Sequence, residues 1–178
     1  MTFDENDNGL SRLQQALARD FAVLNLPAAN WVPTRSGPDG NPLIDVLVVG
    51  GGMCGLAAAF ALRRLGIHNI RVIDAQPAGR EGPWRTYARM ETLRSPKHLT
   101  GPAAGLPNLT FRAWYEAHHG AEAWEALGYI PREMWADYLG WYGDVTGAAI
   151  ENDVTLDDLA AVAPPQVAAG AGNACWCA

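Results

Sequence analysis

Val46-Leu-Val-Val-Gly50-Gly51-Gly52-Met53-Cys54-Gly55-Leu56-Ala57-Ala58-Ala59-Phe60 reads as a buried strand, a glycine turn and a helix. Val46 to Val49 form a continuous apolar run, as expected of a parallel strand covered on both faces. Gly50, Gly52 and Gly55 stand at the spacing Gly-x-Gly-x-x-Gly. The first glycine allows a tight turn, the second lets backbone approach a pyrophosphate, and the third lets the helix lie close to the strand. Free N–H groups at the helix start would face the phosphates.

Asp74 closes the next apolar stretch, Ile70-Arg71-Val72-Ile73, nineteen residues after Gly55. An acid at that distance accepts from a ribose hydroxyl, and its charge disfavours a 2′-phosphate. Strand, turn, helix and distal acid together predict dinucleotide binding, with FAD or NAD fitting the adenosine half better than NADP. The bland alternative, a glycine-rich turn in an ordinary α/β unit, accounts for one glycine more easily than for three.

The chain has 178 residues, room for one domain, and 49% of them are apolar, enough for a core. Net charge is −6 with no basic block, which argues against nucleic acid. No run of eighteen apolar residues predicts a membrane span, and the acidic start Met1-Thr-Phe-Asp-Glu lacks the character of a signal peptide. Three cysteines, an odd number, do not suggest a disulfide framework. A cytoplasmic protein is expected.

Outward from the turn, Leu10 to Leu26 has apolar residues Leu10, Leu13, Leu17, Phe21 and Leu24 at helical spacing, as a packing helix or a partner-binding arm would. Asn30 to Pro42, with three prolines and two glycines, reads as a linker. The helix after the turn is expected to pack through Gly55, Ala58, Ala59 and Leu62, with Arg63 and Arg64 in solvent and Gly66 at its C-terminus. Cys54 reads as a small buried filler. Gln76 to Pro83 is a loop leading into Gly82-Pro83-Trp84-Arg85. Trp84 either stacks beside a flat ring system or caps the local core. Arg94 and Lys97 either compensate a phosphate or anionic cofactor, or are solvated cations.

Two helices are expected beyond residue 109. Thr110 is a fair N-cap, with Phe111, Trp114, Tyr115 and His118 on one side. Pro131 suits the first turn of the next, whose face carries Met134, Trp135, Tyr138, Trp141, Tyr142 and Val145. This stripe is rich for a small domain, so part of it is expected to be exposed and to support self-association. His118 and His119 are adjacent and point apart, and no metal-ligand spacing occurs. Ala160 to Ala178, ending Cys175-Trp-Cys177-Ala178, has no period and reads as a disordered or out-of-frame tail.

From Asp45 to about Val145 the chain resembles the N-terminal FAD-binding part of flavoprotein monooxygenases of the flavin-containing, N-hydroxylating and Baeyer–Villiger type. The residues that carry this are Gly50-Gly51-Gly52-Met53-Cys54-Gly55, Asp74, Gly82-Pro83-Trp84 and Glu91-Thr-Leu-Arg-Ser-Pro-Lys97. The resemblance implies FAD, reduced by NADPH, that reacts with dioxygen to a C4a-hydroperoxide and gives one oxygen atom to a small organic substrate. It places Gly50 to Gly55 at the pyrophosphate, Asp74 at the ribose, Trp84 near the isoalloxazine, and Arg94 or Ser95 near its reactive edge. The family's second glycine motif, for NADPH, does not occur in these 178 residues. The expected fold is therefore an incomplete Rossmann-like α/β domain with a helical insertion. Residues 1–42 form a helix and linker, 43–151 the cofactor domain and 152–178 the tail. The alternatives are a piece of an NAD(P)- or FAD-dependent dehydrogenase or reductase, or a non-catalytic interaction module.

Overall fold

The computed structural model describes residues 5–161. Three short parallel strands, β1 (Val46–Val49), β2 (Ile70–Ile73) and β3 (Ile150–Glu151), form one sheet in the order β1-β2-β3. Val46 pairs with Ile70 and Val49 with Ile73, while Val72 pairs with Ile150. The intervening helix α2 (Met53–Arg64) lies against the Val46 and Val48 side, where a Cβ on Gly55 would stand 3.4 Å from Val48 Cγ1. The other side is not covered as the apolar run suggested, for Leu47 is 36% and Val49 58% exposed. That face also carries the bidentate pair between Arg71 and Glu151, at 2.7 and 2.6 Å.

The core lies mainly among helices. α1 (Glu5–Val23) packs on α3 (Phe111–His119). Their approach is close enough that a Cβ on Gly9 would reach 2.1 Å from Ala117 O. Leu13 and Leu17 are buried beneath α1, but Leu24 lies past its end and is exposed. A short helix, α4 (Ala121–Ala126), precedes α5 (Arg132–Thr146). Thr110 caps α3 as expected, its Oγ1 accepting from Ala113 N–H at 3.1 Å. Pro131 stands at the N-cap of α5 rather than within its first turn.

The aromatic stripe is interior. Phe111, Trp114, Tyr115, Trp124, Trp135, Tyr138, Trp141 and Tyr142 are all buried in one cluster with Leu56 and Phe60 of α2. The expectation of an exposed aromatic self-association face is therefore corrected: the chain covers these rings itself. Their contacts are edge-on or tilted, such as Phe111 on Tyr138 at 5.5 Å and 87°, the arrangements that ring quadrupoles favour. Tyr138 and Tyr142 donate to the carbonyls of Leu109 and Pro102 at 2.8 and 2.9 Å, so the loop before α3 is pinned from within.

Arg63 and Arg64 are not solvated as expected. Arg63 donates to the carbonyls of Thr146 and Gly147 at the end of α5, and Arg64 to Ala104 O. Cations there answer the unpaired carbonyls of a helix end and a loop. The buried face of α2 is Gly55, Leu56, Ala59 and Phe60, whereas Ala58 is exposed and Leu62 only partly covered. The proline-rich linker is tied down: Trp31 Nε1 donates to Leu65 O at 2.7 Å and Leu43 N–H to Arg35 O at 2.8 Å. Past Glu151, Val154 N–H donates to Asp74 O at 3.0 Å, so contact with the sheet continues beyond residue 151. Of the expected tail, 152–178, the first ten residues are described and include this contact, while 162–178 lie outside the described residues.

Candidate functional site

The glycine turn joins the C-terminal end of β1 to α2. Gly50 has φ +103°, a conformation that a residue with a Cβ resists. A Cβ on Gly55 would lie 1.8 Å from Gly50 O, so the helix meets the turn in direct backbone contact. Gly51 is also sterically required: a Cβ there would stand 2.9 Å from Ile150 Cγ2 of β3 and 3.2 Å from Glu81 Cγ. Gly52 is the N-cap of α2 and no side chain caps this end. Its first N–H groups are thus available to an anion, with the helix dipole behind them.

Asp74 is buried, 6% exposed, at the end of β2. Its Oδ2 accepts from Gly51 N–H at 2.7 Å and its Oδ1 from Gln76 N–H at 2.7 Å. The acid therefore faces the turn. Cys54, expected to be buried, is exposed, and lies off the buried face of α2 formed by Gly55, Leu56, Ala59 and Phe60.

Two cavities flank the turn. The first, about 350 Å³, lies among Gly51, Gly52, Glu81, Arg85, Asn152 and one side of α5. The second, about 490 Å³, is lined by Met53, Trp84, Met90, Leu93, Arg94, Ser95, Ile130 and Trp135. Trp84 is the wall they share. It is half-buried and packs edge-on against Trp135 with centroids 6.3 Å apart, so it belongs to the core and to the cavity wall at once. Pro83 is partly covered in the loop that carries Gly82 over the turn. Arg94 and Ser95 are exposed at the rim of the second cavity.

Lys97 is not a cofactor cation. Its Nζ donates to the carbonyls of Trp124, Glu125 and Leu127 at 2.6, 3.3 and 2.7 Å and lies 4.9 Å from a Trp124 ring centroid. It caps α4, and Arg94 alone of the two cations faces the cavity. Sequence reasoning named Met53 with the glycine turn but missed Trp135 and Ile130 as cavity residues. Their only signal was apolar periodicity, which marks burial but not what is buried. Among the described residues no group of three or more His, Cys, Asp or Glu side chains is placed to hold a metal. Nor is any helix long and apolar enough to cross a membrane.

A protein-family model described as FAD-NAD(P)-binding matches residues 47–171. The chain belongs to that family. This bears out the expected dinucleotide cofactor and the incomplete Rossmann-like fold. A FAD-dependent urate hydroxylase of Xanthomonas campestris pv. campestris is 48% identical over 158 residues, covering 89% of this chain and 33% of its own length. The chain thus spans about a third of that relative. The beta subunit of a sarcosine oxidase from Rhizobium meliloti is 43% identical over 51 residues, 28% of this chain and 12% of its own. No solved structure matches. Within the FAD-NAD(P)-binding family the residues present suit a dinucleotide: an uncapped helix start, a turn without side chains and an apolar chamber beside it.

Proposed function

We propose that this chain is the FAD-binding part of a flavin-dependent monooxygenase that acts on a small organic substrate, with NADPH as the reductant of the whole enzyme. The observation that carries the reading is the placement of an apolar chamber of about 490 Å³, walled by Trp84, Trp135, Leu93 and Met53, directly beside the uncapped start of α2. A flavin dinucleotide needs both: amide donors for its phosphates and a flat apolar recess for its ring. The similarity to a FAD-dependent urate hydroxylase supports FAD over NAD and favours urate or a comparably flat, oxygen-rich heterocycle as substrate.

Bound FAD supplies two-electron transfer and the activation of dioxygen. The chain's own residues hold and shield. The amides of Gly52, Met53 and Cys54 face the phosphates. Trp84 and Trp135 exclude water from the chamber, and Arg94 at its rim offsets negative charge on the ring. These 178 residues carry one Gly-x-Gly-x-x-Gly motif and no second one for NADPH.

The test is titration of the purified chain with FAD and with NAD, followed by anaerobic mixing of the FAD-loaded chain with NADPH. FAD is expected to bind in preference to NAD, and its reduction by NADPH to be no faster than that of free FAD. Preference for NAD would overturn the flavin reading. Saturable reduction by NADPH would show that residues assigned here to structure form a nicotinamide seat.

A further inference from the structure

We infer that Asp74 is a positioning residue for the glycine turn, holding it in its phosphate-binding shape before any ligand arrives, and that its effect on binding is exerted chiefly through the turn and not through a ribose hydroxyl. The inference rests on the reading that this turn receives a cofactor's phosphates, but the hydrogen-bond geometry is independent of that reading. Both carboxylate oxygens are engaged by backbone donors, Gly51 N–H and Gln76 N–H, each at 2.7 Å. The main chain of Asp74 is held as well: its N–H donates to Glu151 O at 2.9 Å and its carbonyl accepts from Val154 N–H at 3.0 Å. One residue thus links the segments leaving β1, β2 and β3.

The short side chain matters. Gly51, whose amide it receives, is itself close to β3, since a Cβ there would stand 2.9 Å from Ile150 Cγ2. An aspartate reaches the turn amide at 2.7 Å, whereas a glutamate has one more rotatable bond to fix before it can make the same contact. Charge-assisted bonds to buried amides are among the stronger hydrogen bonds in a protein, and loss of the acceptor leaves the donor unpaired. A ribose hydroxyl can still add a donor, because a carboxylate offers about four lone-pair sites. That contact would come on top of the turn contact.

The experiment uses the full chain and three variants, Asp74→Asn, Asp74→Ala and Asp74→Glu. The first measurement is amide hydrogen exchange without ligand. In Asp74→Ala the amides of Gly51 and Gln76 are expected to exchange roughly tenfold faster or more, the factor that a charge-assisted hydrogen bond of ordinary strength supplies. Amides within α5 should keep their protection, which shows that the fold persists. Asp74→Asn is nearly isosteric and keeps one acceptor oxygen, so one of the two amides should remain protected.

The second measurement compares binding of ADP with that of an analogue lacking both ribose hydroxyls. Asp74→Ala should weaken both by a similar factor, and Asp74→Glu should weaken both as well. Unchanged exchange at Gly51 in Asp74→Ala would overturn the inference. So would a loss confined to ADP, which would make Asp74 a ribose reader only. If neither nucleotide binds the wild-type chain, the cofactor reading fails and the exchange result alone decides the role of Asp74.

Discussion

Gly52 and Gly82 meet backbone to backbone. A Cβ on Gly52 would stand 3.2 Å from Gly82 Cα, and a Cβ on Gly82 would stand 3.4 Å from Gly52 Cα. The loop after β2 thus closes on the turn after β1 through two residues without side chains. Gly52→Val is expected to push the two apart and abolish nucleotide binding while the helical core stays folded. Gly82→Ala meets a lesser obstacle but must hold φ at +70°, which costs about 1–2 kcal/mol. Flavin titration alongside thermal melts separates the two effects, and wild-type affinity in Gly52→Val would remove the turn from the site.

Gly55→Ala is a prediction about folding. Its Cβ would lie 1.8 Å from Gly50 O and 2.9 Å from Gly50 C, with backbone on both sides of the clash. Neither the helix nor the turn can yield without losing the strand contact. A destabilisation of about 4 kcal/mol or more is expected, at the extreme of single substitutions. Urea unfolding followed by far-ultraviolet circular dichroism measures it, and a midpoint near wild type would mean that α2 can slide along the sheet.

The two cations near the second cavity should behave oppositely. Lys97→Met removes three bonds to the end of α4 and is expected to cost about 2 kcal/mol of stability with little change in flavin affinity. Arg94→Ala removes a side chain that makes no hydrogen bond or ion pair among the described residues, so stability should move by less than about 0.5 kcal/mol. Its effect should appear as a roughly tenfold weaker affinity for flavin, the size of one charge-assisted contact. Reversed outcomes would exchange their roles.

High pH should weaken the core through Tyr138 and Tyr142. Burial raises both hydroxyls well above the ordinary value of 10.0, Tyr138 further through its neighbour Tyr142, while Arg64 partly opposes the rise at Tyr142. The unfolded chain then ionises first, so above pH 10 the folded state holds more protons and stability falls as pH rises. Below that value the contribution is fully present. Two such groups give a slope of up to about 2.7 kcal/mol per pH unit. Urea midpoints on either side of pH ~10 test this, and the double replacement Tyr138→Phe with Tyr142→Phe should flatten the slope.

What could be read from the residues was what is local. The strand, turn and helix around Gly50, the cap at Thr110 and the glycine ending α2 follow from spacing and from side chains that act on their own backbone. The errors came where a partner distant in sequence decides the outcome. Six-residue α4 is made of good helix formers, Ala and Glu, but is short, has no side-chain cap and begins after Gly120, so it carries no apolar period to announce it; Lys97, far upstream, secures its end. Arg63 and Arg64 looked like surface cations because the carbonyls they answer belong to α5 and to the 104 loop. The aromatic stripe announced burial, but its partners, Leu56 and Phe60 among them, came from elsewhere in the chain. The site was half legible for the same reason: the turn and its acid are coded in one unit, whereas the apolar chamber is assembled from residues as distant as Met53 and Trp135.

The uneven cover of the sheet has a mechanical consequence. Among the described residues β1 has one strand neighbour, β2, and Val49 at its end is more than half exposed. The glycine turn therefore extends like a cantilever, clamped on the flank where Asp74 and Ile73 take hold of Gly51 and Gly50, and free on the other. A ligand pressing on it would rotate it about that single clamped flank, and thermal motion should loosen the free side first. The free side of the turn can then breathe while the ring-filled helical layer, which meets the site through α2, Trp84 and Trp135, stays closed.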